Sequence, residues 1–231
     1  MRHMLLIGKR GRPHVQTRTA KRADGPDGKP MPESETPMIV GYASVFYDGT
    51  PGTQYNLWGR VFERVMPGAF AEAIKGGDVA ALRNHDANML LGRTTADPPT
   101  LRLAEDKIGL RYEIDAPQSA CGAETVESIR RGDMQGSSFA FRITKEMWSE
   151  EKTPEGLMLE VRSILAVELF DVGPVTFPAY EASTTGLRSS GEVDEARASY
   201  ARWQESKRSA GPCRESIMAR ARVVELTEAG T

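Results

Sequence analysis

The sequence predicts a mainly β fold with short helices, in the form of a closed or nearly closed barrel decorated by helices. Three observations carry this. Between about residues 37 and 187 the chain holds many short runs of β-branched and aromatic residues. Glycine, proline and asparagine separate them. Only two segments in that zone have helical character, and no internal repeat is present.

The runs follow in order. MIVGYASVFY is the first, with Gly41 marking a bulge or bend, and LWGRVFERV continues it. PGAFAEAIKGG reads as a short helix, with Pro67 in its first turn and Gly76-Gly77 at its end. DVAALRNH is a strand with His85 near its end. TLRLAED and GLRYEIDA alternate around the turn of a hairpin. SACGAETVESIRRGD is an amphipathic helix with Ala123, Val126 and Ile129 on its inner side. GSSFAFRIT, MLEVRSILAVELFDV and PVTFPAY are extended again.

Three zones follow from composition. Residues 1–36 read as a basic, unstructured arm: in the first thirty residues Arg2, Lys9, Arg10, Arg12, Arg18, Lys21, Arg22 and Lys29 face only Asp24 and Asp27, and the turn-rich GPDGKPMPESETP closes the segment. Residues 37–187 form the β domain. Residues 188–231 are a helical tail in two stretches, broken at Gly211-Pro212, without a wide apolar face. The 231 residues carry a net charge of −2, which gives no general reason to expect nucleic acid as a partner. No apolar run approaches the roughly 20 residues that span a bilayer, and the short MLLIG near the start does not make a secretory signal. Cys121 and Cys213 lie far apart in unlike surroundings, so a disulfide is not expected.

His85 is the one histidine in the β domain, since His3 and His14 belong to the arm. A multi-histidine metal site is therefore excluded, and the two cysteines have no Cys-x-x-Cys spacing. A lone histidine is more often structural than catalytic, but Arg83-Asn84-His85-Asp86 is unusually polar for the end of an apolar strand. In Gly136-Ser137-Ser138-Phe139-Ala140-Phe141, alternation puts Ser137 with the two phenylalanines on the core face. Ser138 then looks outward beside small Ala140, as a nucleophile requires, although an ordinary outward serine fits the pattern as well. Glu168 and Asp171 interrupt a third apolar run. Three apart, they fall on opposite faces of a regular strand, so one of them at most shares a face with Ser138.

Together these segments resemble the HK97-type prohead (capsid maturation) proteases of tailed phages. The matching stretches are Gly41 to Phe46, Pro67 to Phe70, Asn84-His85-Asp86 with Leu91-Gly92-Arg93, Arg130 to Asp133, Gly136 to Phe141, and Asp171 to Tyr180. That family is related to the herpesvirus assembly proteases, which implies a β-barrel ringed by helices. The resemblance implies a serine endopeptidase without a metal or cofactor, with catalytic residues His85 and Ser138. The family's Glu-Val-Ser segment falls on Asp171-Val172-Gly173, which favours Asp171 over Glu168 as third member. The implied substrates are scaffold protein, the scaffold-like extension of the major capsid protein, and the chain itself. The implied location is the host cytoplasm, inside the assembling prohead, and a homodimer is compatible with it. The alternative is a catalytically silent capsid-assembly or scaffold protein on the same fold.

Overall fold

The computed structural model describes residues 15–19, 37–177 and 190–209. The chain divides into two compact units, one reaching Leu187 and the other beginning at Arg188. Among the described residues of the first, ten strands follow one another: β1 Val15–Thr19, β2 Pro37–Val45, β3 Tyr55–Trp58, β4 Val61–Val65, β5 Ala80–Leu82, β6 Leu90–Arg93, β7 Leu101–Glu105, β8 Gly109–Asp115, β9 Gly136–Lys152 and β10 Met158–Val175. Helix α1, Ala120–Arg131, precedes β9. Helix α2, Ser190–Ser209, lies in the second unit.

The mainly β expectation is met, but the closed barrel is not. Among the described residues the strands make two open sheets, ordered β1-β2-β8-β7 and β3-β4-β10-β5-β6, with β9 paired to β10. A second correction concerns the arm, because Val15–Thr19 is a strand antiparallel to β2. VQTRT has the β-branched alternation that such pairing favours, and net basic charge masks that signal. The helix expected at Pro67 shrinks to a 3-10 turn at Ala73–Lys75. On α1 the buried residues are Gly122, Thr125 and Ile129, while Ala123 is exposed. The helix rotates because Gly122 lies against Pro117, whose carbonyl oxygen would be 2.0 Å from an added Cβ.

One core joins the two sheets. Ile39 and Ala43 of β2, Leu110, Tyr112 and Ile114 of β8, and Leu101 of β7 meet Phe139 of β9 and Ile164, Val167, Leu169 and Val172 of β10. Burying such side chains stabilises the fold by about 1.5–3 kcal/mol each. Phe139 is the hub of the aromatic part, edge-on to Phe70 at 5.4 Å and stacked on Phe141 at 4.5 Å. These geometries add about 0.5–1.5 kcal/mol beyond area. Phe139 thereby fixes the start of β9, the segment that carries Ser138.

Strands β4, β10 and β9 also enclose charge. Arg162, only 2% exposed, donates to Glu146 at 2.5 Å and to Glu63 at 3.2 Å. A buried guanidinium needs such partners, since its desolvation is otherwise uncompensated. Arg162→Met should therefore lower stability by about 3–5 kcal/mol, because it leaves carboxylate charge without its cation. Urea unfolding measures this, and a loss under about 1 kcal/mol would mean the pair behaves like a surface one.

Candidate active site

The site forms where β10 runs between β9 and β5. β9 is antiparallel to β10, with Ser138 opposite Gly173, Phe139 opposite Val172 and Ala140 opposite Asp171. Residues directly opposite share a face. Phe139 and Val172 belong to the core, so Ser138, Ala140, Asp171 and Gly173 lie on the other face. Ser137 is on the core side, 2.7 Å from the Tyr112 hydroxyl. The expected division between the two serines is present in the structure.

Asp171 reaches that face through an irregularity. Leu169 is opposite Phe141 and Asp171 opposite Ala140, so Phe170 is an extra residue in β10. In a regular strand Asp171 would share the core face of Leu169. The bulge at Phe170 reverses the phase and turns Asp171 outward. It also corrects the expectation for the two acids: Glu168, opposite Arg142, now shares a face with Asp171. Glu168 is about half exposed and ion-paired with Arg142. Asp171 is 7% exposed and serves the histidine.

His85 arrives from the other edge. β5 is parallel to β10, pairing Ala80 with Asp171 and Ala81 with Val172, and ends at Leu82. Asn84 and His85 then adopt left-handed backbone conformations, φ 54° and 58°. Each costs on the order of 1–2 kcal/mol for a residue with a Cβ. Asparagine and histidine tolerate this region better than most, and local bonds hold it. Asn84 N–H donates to the Pro174 carbonyl at 3.0 Å, and Asn84 Oδ1 accepts from Thr176 N–H at 2.8 Å. The reversal leaves His85 Nδ1 2.6 Å from Asp171 Oδ1.

That contact has a chemical consequence. An ionised carboxylate can only accept, so the imidazole donates from Nδ1 and the lone pair lies on Nε2. A base so oriented can take a proton from a hydroxyl on the same face. Among the described residues no hydrogen bond joins His85 to Ser138, and Ser138 is 4% exposed rather than open. The covered serine is a departure from the expectation. Catalytic hydrogen bonds commonly close only once substrate is bound. The described residues contain no group of three or more His, Cys, Asp or Glu placed to hold a metal ion.

Sequence reasoning missed two contributors. Tyr112, fully buried, carries a hydroxyl whose ionisation burial makes much harder, so it acts as a neutral hydrogen-bonding partner of Ser137. Asn84 was read only as part of a polar strand end and of the Asn84-His85-Asp86 stretch, with no role of its own. Its position before the histidine and beyond a short strand was the available signal.

A family model described as caudovirus prohead serine protease matches residues 28–198. The chain belongs to that family. No curated protein and no solved structure matches it. The family is one of serine peptidases, and a serine, an imidazole and a carboxylate on one sheet face are the groups such chemistry uses. No helix among the described residues is long and apolar enough to cross a membrane.

Ser137→Ala should cost stability rather than chemistry, because it takes a partner from the buried Tyr112 hydroxyl. The expected loss is about 1–3 kcal/mol. Urea unfolding of Ser137→Ala, Tyr112→Phe and the double variant measures it, and strict additivity would show that the two hydroxyls do not interact.

Proposed function

We propose that this chain is the serine endopeptidase of prohead maturation, cleaving scaffold protein or the scaffold-like extension of the major capsid protein inside the assembling prohead. The observation that carries the reading is the 2.6 Å His85–Asp171 contact on the face that bears Ser138, in a chain of a serine protease family. Ser138 Oγ attacks the scissile carbonyl while His85 Nε2 takes its proton. As the tetrahedral intermediate collapses, His85 gives that proton to the leaving amine. Water then attacks the acyl-enzyme, deprotonated by His85, and releases the second product with Ser138 restored. Asp171 holds the imidazole in the required tautomer and stabilises its charged form without taking the proton. Self-cleavage outside residues 37–187 belongs to the same proposal.

The second reading is a catalytically silent assembly protein on this fold, and the covered Ser138 is the observation that favours it. A structural histidine, however, has no need of two left-handed residues and a nearly buried carboxylate partner. Strain of that kind gathers at functional sites.

Coexpression with the capsid-protein substrate, followed on gels, decides between them. Ser138→Ala and His85→Ala should each abolish processing while the protein stays folded, since residues acting as a unit lose nearly everything singly. Unchanged processing by Ser138→Ala would end the protease reading.

Asp171→Asn should slow cleavage by about 10⁴-fold. Glu168→Gln should be mild, because exposed ion pairs are worth about 0–1 kcal/mol. A cleavage time course with circular dichroism checks both. Near-normal rates for Asp171→Asn would mean that a Ser–His dyad acts alone.

A further inference from the structure

We infer that Gly173 and Asn84 are positioning residues that set the placement of His85 over Ser138. The inference rests on the reading of Ser138 as nucleophile and His85 as base. Gly173 lies between the two: it faces Ser138 across the β9–β10 ladder and adjoins the end of β5 on its other edge. A Cβ built on Gly173 would sit 2.1 Å from the Leu82 carbonyl oxygen, 3.0 Å from its carbon and 3.2 Å from its nitrogen. All three are backbone atoms, which cannot swing aside as a flexible side chain could.

The direction of that collision matters. Side chains at 171 and 173 share the face of Ser138, so the Leu82 backbone fills the space that a side chain at 173 would take. The pairing of β5 with β10 stops at Val172, one residue earlier. Leu82 stays paired with Leu90 of β6, past an irregularity in β5, while its backbone closes on Gly173. Its continuation is pinned beyond Gly173, where Asn84 bonds both the Pro174 carbonyl and the Thr176 N–H. The left-handed pair then returns His85 to Asp171. Gly173 thus sets how closely the end of β5 approaches β10, and Asn84 where the chain turns. Neither needs to touch substrate.

Any side chain at 173 must lift Leu82 by more than about an ångström to restore ordinary contact. A misplacement near 1 Å can cost on the order of 10²-fold in rate. Gly173→Ala should therefore reduce kcat for a capsid-derived peptide by about 10²-fold and leave KM within about twofold. The rate of Ser138 modification by a fluorophosphonate, followed by mass spectrometry, should fall in parallel. Asn84→Gly keeps the positive φ in an exposed turn and removes only the side-chain bond, so it gives a second route should Gly173→Ala fail to fold. It should lose about tenfold in both rates with KM unchanged. Wild-type modification rates in folded Gly173→Ala, or in Asn84→Gly where Gly173→Ala does not fold, overturn the inference. So does a raised KM with unchanged kcat, which would mean a side chain at 173 merely obstructs substrate. Wild-type protein that is never modified at Ser138, like the Ser138→Ala control, would remove the protease reading itself and the inference with it.

Discussion

The insertion of one residue, Phe170, into β10 is the constraint on which the site depends. Strand β10 has a neighbour on each edge along much of its length and cannot choose its register freely: Val167 and Leu169 must face the core on one side of Phe170, and Val172 on the other. With strict alternation these demands conflict, since 169 and 172 differ by an odd number. A bulge resolves the conflict and places Asp171 on the outer face. The apolar pattern of the strand and the availability of the carboxylate are therefore one fact. Phe170 itself, 46% exposed, is the side chain left over by that arrangement.

Around this strand the core and the site use opposite faces of the same two ladders. Ser137 and Phe139 look inward to Tyr112 and Phe70, so the segment bearing Ser138 is anchored on its back. Asp171 is held by the pairing of β10 with both β9 and β5. His85 alone stands on a turn, and that turn is tied to β10 by Asn84. His85 is placed by a turn, while Ser138 and Asp171 lie on continuous strands. A site mounted on strands is more exact than one on loops, and here only one member departs from that rule.

Much of this was legible in the sequence. Alternation separated Ser137 from Ser138 because both phenylalanines mark the core side, and the scarcity of histidine left His85 as the sole candidate base. What alternation could not supply was the phase change at Phe170, because a bulge leaves the composition of a strand unaltered. That is why Glu168 and Asp171 were assigned to opposite faces. That a closed barrel is not detected has a related reason: strand count and spacing do not distinguish a closed sheet from two sheets sharing a core. The strand at Val15–Thr19 was hidden by the basic residues around it, whose charge outweighed five residues of β-pattern.

The choice of aspartate over a longer acid follows from the same geometry. A carboxylate that must reach across a strand gap gains from an additional methylene, which the glutamate of the resembling Glu-Val-Ser segment would supply. In this chain the distance is closed from the other side. Gly173 leaves room for the Leu82 backbone close beside it, and the left-handed turn at Asn84 and His85 brings the imidazole to Asp171. A short, nearly buried side chain then meets Nδ1 at 2.6 Å. A glutamate at 171 would carry an extra methylene into a contact that is already closed. Aspartate at 171 and glycine at 173 share one face of β10, and under the inference drawn above they act together: without a side chain at 173 the end of β5 lies close to β10, and a short acid then suffices to meet the imidazole.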